Sequence, residues 1–390
     1  MAKTLVYLAL AGSLHGAGYY LPNQDTFATG RGNAFVATAD NASAIFYNPA
    51  GLVQLTEEEI LTGLYSISLN NTLETGGESF SDLPRWQFVP HFYYARPVSE
   101  DLVLGIGLNS PFGLGSRFGD DTPFRTIGIS GLLEYASLTA AAGYQVNDHL
   151  SLGVSLSINR ADLALEQGQD PTPGATDRFR FEGDSLAPSI AVSALYQPSE
   201  KHSFGAIFSL GTESTLEGHV SGTAPVPTLP GTLDFVTPSR AAIGYSYRPS
   251  PGWNIEANIE WLDWDNLNTL TLNSALGPIP VPFEWESSFI YEIGASYRTE
   301  SGYTFSLGYD YNSSAQPDTF YNPLIADADR HWFNAGISRE LEDWSWNFAY
   351  QFGYSNRNVT GAVTNLAGQS ANGRYESRIH ALTLSARFNF

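Results

Sequence analysis

Apolar and polar residues alternate along most of this chain, and that pattern constrains the fold more than any other feature of the sequence. Residues 344–354 carry large apolar side chains at the even positions and mostly small or polar side chains at the odd positions. Residues 150–159 and 303–312 repeat the pattern. Because successive side chains of a β-strand point to opposite faces, this two-residue period predicts strands with one apolar face. The chain is therefore expected to be all-β.

Two environments produce such alternation. The apolar face packs into a core in a soluble sandwich, whereas it faces lipid in a membrane barrel whose polar face lines the lumen. Here aromatic residues such as Trp253, Trp344 and Tyr354 stand at strand ends, as in an interfacial girdle. The opposite faces carry Gly, Ser, Ala and Asn instead of Lys and Glu, and the strands reach the roughly 9–11 residues that a tilted span needs. These features predict a transmembrane antiparallel β-barrel in the outer membrane of a bacterium.

The pattern predicts fourteen strands, an even number that suits closure of an antiparallel barrel. They are placed at residues 59–72, 85–97, 101–111, 131–146, 149–166, 184–197, 202–221, 232–248, 252–268, 285–299, 302–314, 329–341, 343–357 and 374–390. Short turns alternate with long loops between them, and short turns belong to the periplasmic side of such barrels. Both chain ends are therefore expected in the periplasm. The last strand ends at Phe390 and resembles the terminal strand that the barrel-assembly machinery reads in outer-membrane barrels.

The N-terminal part of the chain departs from the barrel pattern. A short apolar run at residues 5–11 follows Lys3 and precedes small residues, an order that predicts a signal peptide over residues 1–16. A short buried strand or a frayed terminus is the alternative. Residues 17–57 are rich in small side chains and are expected to form a plug inside the barrel, which itself covers residues 58–390.

Composition excludes several kinds of function. The chain has no cysteine, so disulfides, thiol catalysis and cysteine metal sites are excluded. A net charge of −21 argues against a nucleic-acid partner. Neither a metal nor a cofactor is expected, and the chain is expected to act as a monomer. A general diffusion porin remains an alternative, although a plug argues against an open lumen.

Catalysis has little support in the sequence. No Gly-x-Ser-x-Gly or His-Glu-x-x-His motif occurs. His380, on the predicted lipid face of the last strand, is the one position that a membrane-embedded lipase could use. The chain is therefore not expected to be an enzyme, and no catalytic residue is assigned.

The N-terminal segment resembles the FadL/TodX-type outer-membrane transporters of long-chain fatty acids and other hydrophobic compounds. The matching motifs are Ala17-Gly18-Tyr19, Gly30-Arg31-Gly32, Ala39-Asp40-Asn41-Ala42-Ser43 and Phe46-Tyr47-Asn48-Pro49-Ala50-Gly51-Leu52. The resemblance covers the plug closely and the barrel mainly by architecture. It implies that the segment is a hatch, that ligand is captured at an apolar groove among the outer loops, and that it leaves sideways at a kink in the third strand.

Three sets of site residues follow from this resemblance. The ligand pocket and hatch are assigned to Ala17, Gly18, Tyr19, Phe46, Asn48, Pro49 and Ala50. The lateral gate on the third strand is assigned to Gly105, Gly107, Asn109, Pro111 and Phe112, since proline cannot donate to a strand ladder and glycine weakens one. The extracellular capture loops are assigned to Leu229, Ile279, Val281 and Phe283, whose apolar side chains could also pack on one another over the barrel mouth. The expected partners are a hydrophobic small molecule and the lipids of the outer membrane.

The expected solute is a long-chain fatty acid, with an aromatic or alkane hydrocarbon as the alternative. Charged residues expected near the lumen could bind a carboxylate head group or act as a gate. They are Arg160, Arg240, Glu256, Glu260 and Glu292. A network that holds the plug in place is the favoured interpretation of this set.

Overall fold

A closed antiparallel β-sheet contains nearly all the regular structure of the chain. The computed structural model describes residues 18–83, 86–224 and 226–390, so the predicted signal peptide and Ala17 lie outside the described residues. The strand segments are β1 (Glu59–Thr75), β2 (Glu78–Ser81), β3 (Trp86–Pro97), β4 (Leu102–Asn109), β5 (Gly113–Arg117), β6 (Ser130–Asn147), β7 (Leu150–Gln167), β8 (Phe179–Ser199), β9 (His202–Ser209), β10 (Glu213–Gly222), β11 (Leu229–Val236), β12 (Ser239–Tyr247), β13 (Trp253–Asp263), β14 (Thr269–Ser274), β15 (Ile279–Pro282), β16 (Ser288–Arg298), β17 (Tyr303–Asn312), β18 (Arg330–Glu340), β19 (Trp344–Val359) and β20 (Gly373–Asn389). The helices are short: α1 (Thr26–Gly30), α2 (Ala44–Tyr47) and three 3₁₀ turns at Pro49–Gln54, Trp264–Asn266 and Pro323–Ile325. Within the described residues, no helix is long and apolar enough to cross a membrane.

The sheet closes where β1 pairs with β20, from Glu59 opposite Asn389 to Glu74 opposite Arg374. The segments together form fourteen barrel strands, because several barrel strands are interrupted along their length. The third barrel strand, for example, consists of β4 and β5, and the seventh consists of β9 and β10. The predicted all-β, fourteen-stranded barrel is confirmed.

One predicted boundary on the third barrel strand is wrong. The alternation predicted a single strand over residues 101–111 followed by a long loop, whereas β4 ends at Asn109 and strand structure resumes at Gly113. Pro111 has no amide proton to donate, so the ladder stops there. Beyond it, Gly113 to Arg117 pair with β6, which restores the strand.

The two faces of the wall follow the predicted alternation. Leu156 and Ile243 point outward and are 60% and 61% exposed, whereas Ser155 points inward and is buried. Arg160 shares the outward face with Leu156, and its side chain pairs with Asp162 at 2.7 Å. The expectation that Arg160 lies near the lumen is therefore wrong. His380 points outward as predicted, and its Nδ1 lies 2.7 Å from the hydroxyl oxygen of Tyr350.

The two ends of the barrel differ in the length of their connections. We call the end with the connections at residues 98–101, 148–149, 200–201, 248–252, 299–302 and 341–343 the short-turn end. The opposite end is the long-loop end, and its connections include residues 118–129, 168–178, 313–329 and 360–372.

Residues 18–57, which we call the inner segment, are almost entirely buried. Helix α1 contacts β17 to β20, and the 3₁₀ turn Pro49–Gln54 contacts β4, β6, β7 and β8, so the inner segment lies between separate parts of the wall.

Candidate ligand-binding site

Glycines on the inner face of the wall make room for the inner segment. Gly205 lies against the carbonyl group of Val36, and a Cβ atom at position 205 would collide with that group. Gly294 meets the backbone of Arg31 in the same way. Close approach of a second backbone is a common reason for glycine inside a strand. Part of the small-residue pattern on the inner faces therefore seats the inner segment.

Buried polar side chains fasten the inner segment to the wall. Arg31 and Glu256 form an ion pair at 3.7 Å, and both side chains are fully buried. Glu256 also accepts a hydrogen bond from the amide of Ala37 at 2.8 Å. The amide of Ala42 donates to the carboxylate of Glu59 at 2.6 Å. Removing one partner of a buried ion pair costs roughly 3–5 kcal/mol, so such contacts fix the segment firmly.

Arg240, Glu256, Glu260 and Glu292 all face the lumen and are buried, as expected. Arg240 forms an ion pair with Glu260. Its guanidinium group also lies over the ring of Phe46, 5.0 Å from the ring centre. Glu292 accepts a hydrogen bond from Asn258 at 2.8 Å. These side chains thus form a polar network between the wall and the inner segment.

An apolar cavity of about 170 Å³ lies at the long-loop end, and we call it the outer cavity. Its lining is Tyr19, Leu114, Ile127, Leu133, Leu163, Leu165, Glu166, Gln167, Phe179, Phe181, Leu233, Phe235, Leu267, Leu270, Leu272, Ile279, Val281, Phe283, Asn322, Leu324 and Ile325. Among the described residues of this lining, Glu166 is the one acidic or basic side chain, and Arg178 pairs with it at 3.0 Å. A hydrocarbon chain gains roughly 0.8 kcal/mol for each methylene that it buries in such a space.

A second cavity of about 90 Å³ lies deeper in the lumen, and we call it the inner cavity. Its lining, as far as the chain is described, contains ten Ser, Thr or Asn residues together with Arg240. Apolar residues contribute as well, among them Phe46, Pro111 and Phe112. The inner cavity therefore offers many hydrogen-bonding groups beside an apolar surface that includes these side chains.

Four aromatic side chains, the aromatic quartet, stand between the two cavities. They are Tyr19, Phe112, Tyr135 and Phe235, and their ring centres form a closed cycle. Successive centres are 6.0, 5.1, 6.5 and 6.1 Å apart, within the usual range for aromatic pairs. Tyr19 and Phe235 line the outer cavity, whereas Phe112 and Tyr135 line the inner cavity. The quartet therefore forms a partition with two rings on each side.

The wall has a gap in its backbone ladder beside the inner cavity. β4 pairs with both neighbours, β3 and β6, whereas β5 pairs with β6 alone among the described strands. Residues 86–91 of β3 pair with β1, and no strand in the described part of the chain pairs with them on their other side. The side chain of Gln87 bridges this space by donating to the carbonyl of Gly115 at 2.9 Å.

The inner segment occupies the edge of the gap. The amide of Leu21 donates to the carbonyl of Pro111 at 2.8 Å. The side chain of Gln24 both donates to the carbonyl of Ser110 at 2.9 Å and accepts from its amide at 3.1 Å. The first described residues of the chain thus replace part of the missing ladder.

A loop at the long-loop end also reaches the inner segment. The amide of Gly18 donates to the carboxylate of Asp327 at 3.3 Å. The same carboxylate accepts from the amide of Ala315 at 2.7 Å, so it holds its own loop together. Leu324 and Ile325 of that loop line the outer cavity. A single buried carboxylate therefore links the outer cavity's loop to the start of the inner segment.

The residues assigned to the pocket and hatch fall in different places. Ala17 lies outside the described residues, whereas Gly18 packs against Trp264 and Trp285. Tyr19 lines the outer cavity and Phe46 the inner cavity. Asn48, Pro49 and Ala50 line neither cavity but lie against the wall, where the amide of Ala50 donates to Ser193 at 2.9 Å.

The residues assigned to the lateral gate and to the capture loops also fall in different places. Asn109, Pro111 and Phe112 line the inner cavity beside the gap. Gly105 and Gly107 lie against the side chain of Ile45 instead. Ile279, Val281 and Phe283 line the outer cavity, whereas Leu229 packs on the apolar cluster around it.

Sequence reasoning missed Tyr20, which lines the inner cavity, and the quartet residues Tyr135 and Phe235. Tyr135 interrupts an inward face whose next members are Ser137 and Thr139, so one bulky ring among small polar residues was the available signal.

Within the described part of the chain, no group of His, Asp and Glu side chains is arranged to hold a metal ion.

A family model described as "Outer membrane protein transport protein (OMPP1/FadL/TodX)" matches residues 7–390. This chain belongs to the OMPP1/FadL/TodX family. Outer membrane protein P1 of Haemophilus influenzae is 22% identical over 89% of the chain and 87% of the relative. The long-chain fatty acid transport protein of Escherichia coli K12 is 20% identical over 83% of the chain and 84% of the relative.

Solved structures share the fold of this FadL/TodX-family member. A Pseudomonas aeruginosa FadL homologue superposes with a TM-score of 0.87 at 17% identity, covering 96% of this chain and 100% of the other. The Pseudomonas putida toluene transporter TodX gives a TM-score of 0.75 at 17% identity, covering 98% and 100%. At such identities the likeness establishes the fold alone.

Family membership establishes the general function. The chain is a transporter of hydrophobic compounds and resides in the bacterial outer membrane, as predicted. Members of the family are transporters, which agrees with the expectation that this chain is not an enzyme.

Proposed function

We propose that this protein takes up long-chain amphiphiles, fatty acids first among them, through the outer cavity, the aromatic quartet, the inner cavity and the gap in the wall. The observation that carries the proposal is the pairing of a strongly apolar cavity with one that also presents many Ser, Thr and Asn side chains, across a thin aromatic partition. An amphiphile can use both the apolar lining and the hydrogen-bonding groups, whereas a pure hydrocarbon makes no use of the hydrogen-bonding groups.

The outer cavity suits the tail of such a solute. Its lining is almost wholly aliphatic or aromatic, and it lies among loops at the long-loop end, which faces the outside by the usual arrangement of these barrels. Burial of a chain of methylenes at roughly 0.8 kcal/mol each is enough to capture a dilute solute. Ile279, Val281 and Phe283 act as capture residues in this scheme.

The inner cavity suits the head group. Its hydroxyl and amide groups can donate hydrogen bonds to a carboxylate, and hydrogen bonds to a charged group are about twice as strong as neutral ones. Thr212 and Thr237 lie in this lining with their hydroxyl oxygens 2.9 Å apart. When a solute passes the quartet, its head group therefore loses hydrogen bonds to water and forms hydrogen bonds to polar side chains of the inner cavity.

The gap beside Asn109 and Pro111 is the exit in this proposal. A solute there leaves the inner cavity sideways into the membrane and never crosses the polar short-turn end. The inner segment, within the proposed plug of residues 17–57, blocks the straight route through the barrel formed by residues 58–390. Residues 1–16 serve as the export signal.

A neutral hydrocarbon is the second candidate solute. The observation in its favour is that the outer cavity's described lining contains no Lys, Arg or His to meet an acid head group. Uptake of radiolabelled long-chain fatty acid and of toluene, measured side by side in cells without another such transporter, separates the two candidates.

Val281→Asp should abolish both activities by placing a charge in the outer cavity. Leu276→Asp is the matched control, since Leu276 is 52% exposed near the same hairpin and does not line the cavity. The double variant Thr212→Val and Thr237→Val should reduce fatty acid uptake and spare toluene. Thr215→Val, on the outer face of β10, is its control. Toluene uptake without fatty acid uptake would favour the second candidate, and absence of both would refute this route.

A further inference from the structure

A third cavity, of about 380 Å³, lies at the short-turn end between the inner segment and the wall, and we call it the vestibule. In the described part of the chain, five arginines line it: Arg31, Arg248, Arg298, Arg339 and Arg387. Asp40 and Glu340 are the carboxylates in that lining. A protein with a net charge of −21 thus gathers a local surplus of positive charge in one water-accessible chamber.

Internal ion pairs neutralise only part of this charge. Glu340 pairs with Arg298 at 2.5 Å, and Arg31 pairs with Glu256 at 3.7 Å. Arg387 pairs more loosely with Glu340 at 3.8 Å and with Glu59 at 3.9 Å. By contrast, Arg248 and Arg339 have no carboxylate partner within 4.0 Å among the described residues. Arg339 donates instead to the hydroxyl of Tyr303 at 3.0 Å.

We propose that the vestibule binds a small polyvalent oxyanion, a carboxylate or a phosphate compound from the aqueous phase. Planar guanidinium groups match the geometry of both oxyanions and bind them through paired hydrogen bonds. The chamber is enclosed by the barrel wall, so a small soluble anion fits it better than a bilayer lipid. The proposal concerns the opposite end of the barrel from the outer cavity and does not depend on the solute that is transported.

The bound oxyanion joins two parts of the protein. Arg31, Thr38 and Asn41 of the inner segment line one side of the vestibule, and Arg248 and Arg339 line the wall side. An anion that contacts both sides strengthens the attachment of the inner segment to the wall. A ligand that binds only the assembled form stabilises it by a free energy that grows with the logarithm of its concentration over its dissociation constant.

The test uses the full chain purified in detergent micelles, with inorganic phosphate, pyrophosphate and citrate as probes and chloride as the ionic-strength control. Isothermal titration calorimetry measures binding, and hydrogen exchange measures protection of residues 26–41. The double variant Arg248→Gln and Arg339→Gln removes the positive charge of the two arginines that form no ion pair with a described carboxylate. The matched control is Arg117→Gln with Lys201→Gln, which removes the same charge from two exposed sites away from the vestibule.

We expect saturable binding of at least one probe and slower exchange of residues 26–41 in the wild type and the control. The vestibule variant should bind about tenfold more weakly for each charge-assisted hydrogen bond that it loses. Preference for pyrophosphate identifies a phosphate site, and preference for citrate identifies a carboxylate site. Absence of saturable binding in the wild type, or equal affinity in the vestibule variant, would overturn the proposal.

Discussion

The backbone amide of Gly113 donates a hydrogen bond of 2.9 Å to the carbonyl oxygen of Tyr19. This contact joins the second half of the broken third strand to the inner segment. Backbone groups at membrane depth need partners inside the protein, since lipid offers none. Residues 19–21 therefore stand in for a missing strand edge, and any widening of the gap at Pro111 must move them. Tyr19 also belongs to the aromatic quartet, so the partition and the gap share one piece of backbone.

Closing the gap by a cross-link should stop uptake while leaving the barrel intact. Gln87 on β3 contacts Gly115 on β5 across the gap, and the native chain has no cysteine. In the variant Gln87→Cys with Gly115→Cys, a short thiol cross-linker should reduce hydrophobic uptake about tenfold or more, because the proposed exit is pinned. Uptake by intact cells before and after cross-linking measures the effect.

Two controls accompany this experiment. Each single cysteine variant receives the same reagent, and the pair Thr72→Cys with Ser81→Cys is cross-linked between the register partners of β1 and β2, away from the gap. Undiminished uptake with the gap pair fully cross-linked, as shown by mass spectrometry, would eliminate the lateral exit.

Removing a ring from the aromatic quartet should ease passage between the cavities. Tyr135→Ala leaves a hole in the partition, and loss of a large buried ring costs roughly 3–5 kcal/mol of local packing. We expect faster uptake at low solute concentration and weaker retention of bound ligand in purified protein. Tyr144→Ala, on the outward face of the same strand, is the control because Tyr144 is 52% exposed. Slower uptake by the Tyr135 variant would argue that the ring guides the solute instead of blocking it.

Much of the barrel was predictable because its two solvents impose a strict period on the sequence. A strand with lipid on one side and a packed lumen on the other must alternate apolar and polar side chains. The sequence alone therefore indicates that Leu156 faces lipid and Ser155 faces the lumen. Arg160 shows where this reasoning fails. It shares its parity with the lipid-facing residues, yet its charge suggested the lumen, and it lies outward beside Asp162 near the long-loop end.

The cavities were harder to foresee because they depend on contacts between distant segments. Tyr19 and Phe235 are far apart in sequence and meet only after the barrel closes. The role of Asp327 could not be predicted for the same reason, since its partner Gly18 lies near the other end of the sequence. The break at Pro111 was predictable from the missing amide, but the recovery of strand pairing at Gly113 required the register of β6.

Weakening an anchor of the inner segment should make the barrel leak. Glu256→Gln removes the charge that pairs with Arg31 in a fully buried site, and an uncompensated buried arginine remains. The expected loss is roughly 3–5 kcal/mol in the attachment of the segment, whereas the wall keeps its own ladder. Ion conductance in planar bilayers should rise above that of the wild type.

Glu217→Gln is the matched control for this prediction, because Glu217 is exposed on the outer face of β10. Heat-modifiable migration in gels confirms that both variants retain a folded barrel. Conductance that stays at the wild-type level in the Glu256 variant would show that the segment does not act as a plug.

Stability of the β1–β3 connection should fall as pH rises through the range around 6. Asp82 lies in this connection, and burial raises its pKa from 3.8 to about 6, opposed in part by hydrogen bonds from Asn71. Because the folded pKa is raised, the folded loop binds more protons, so its stability is greatest below pH 3.8 and declines until the carboxyl is ionised. A shift of this size corresponds to about 2–3 kcal/mol as an upper limit. Hydrogen exchange at the amides of Asn71 and Asp82, corrected for intrinsic rates, should show lower opening free energy at pH 8 than at pH 4. Asp82→Asn should remove this pH dependence of the opening free energy. If the opening free energy of the wild type is the same at pH 4 and pH 8, Asp82 does not ionise in a buried site and the prediction is wrong.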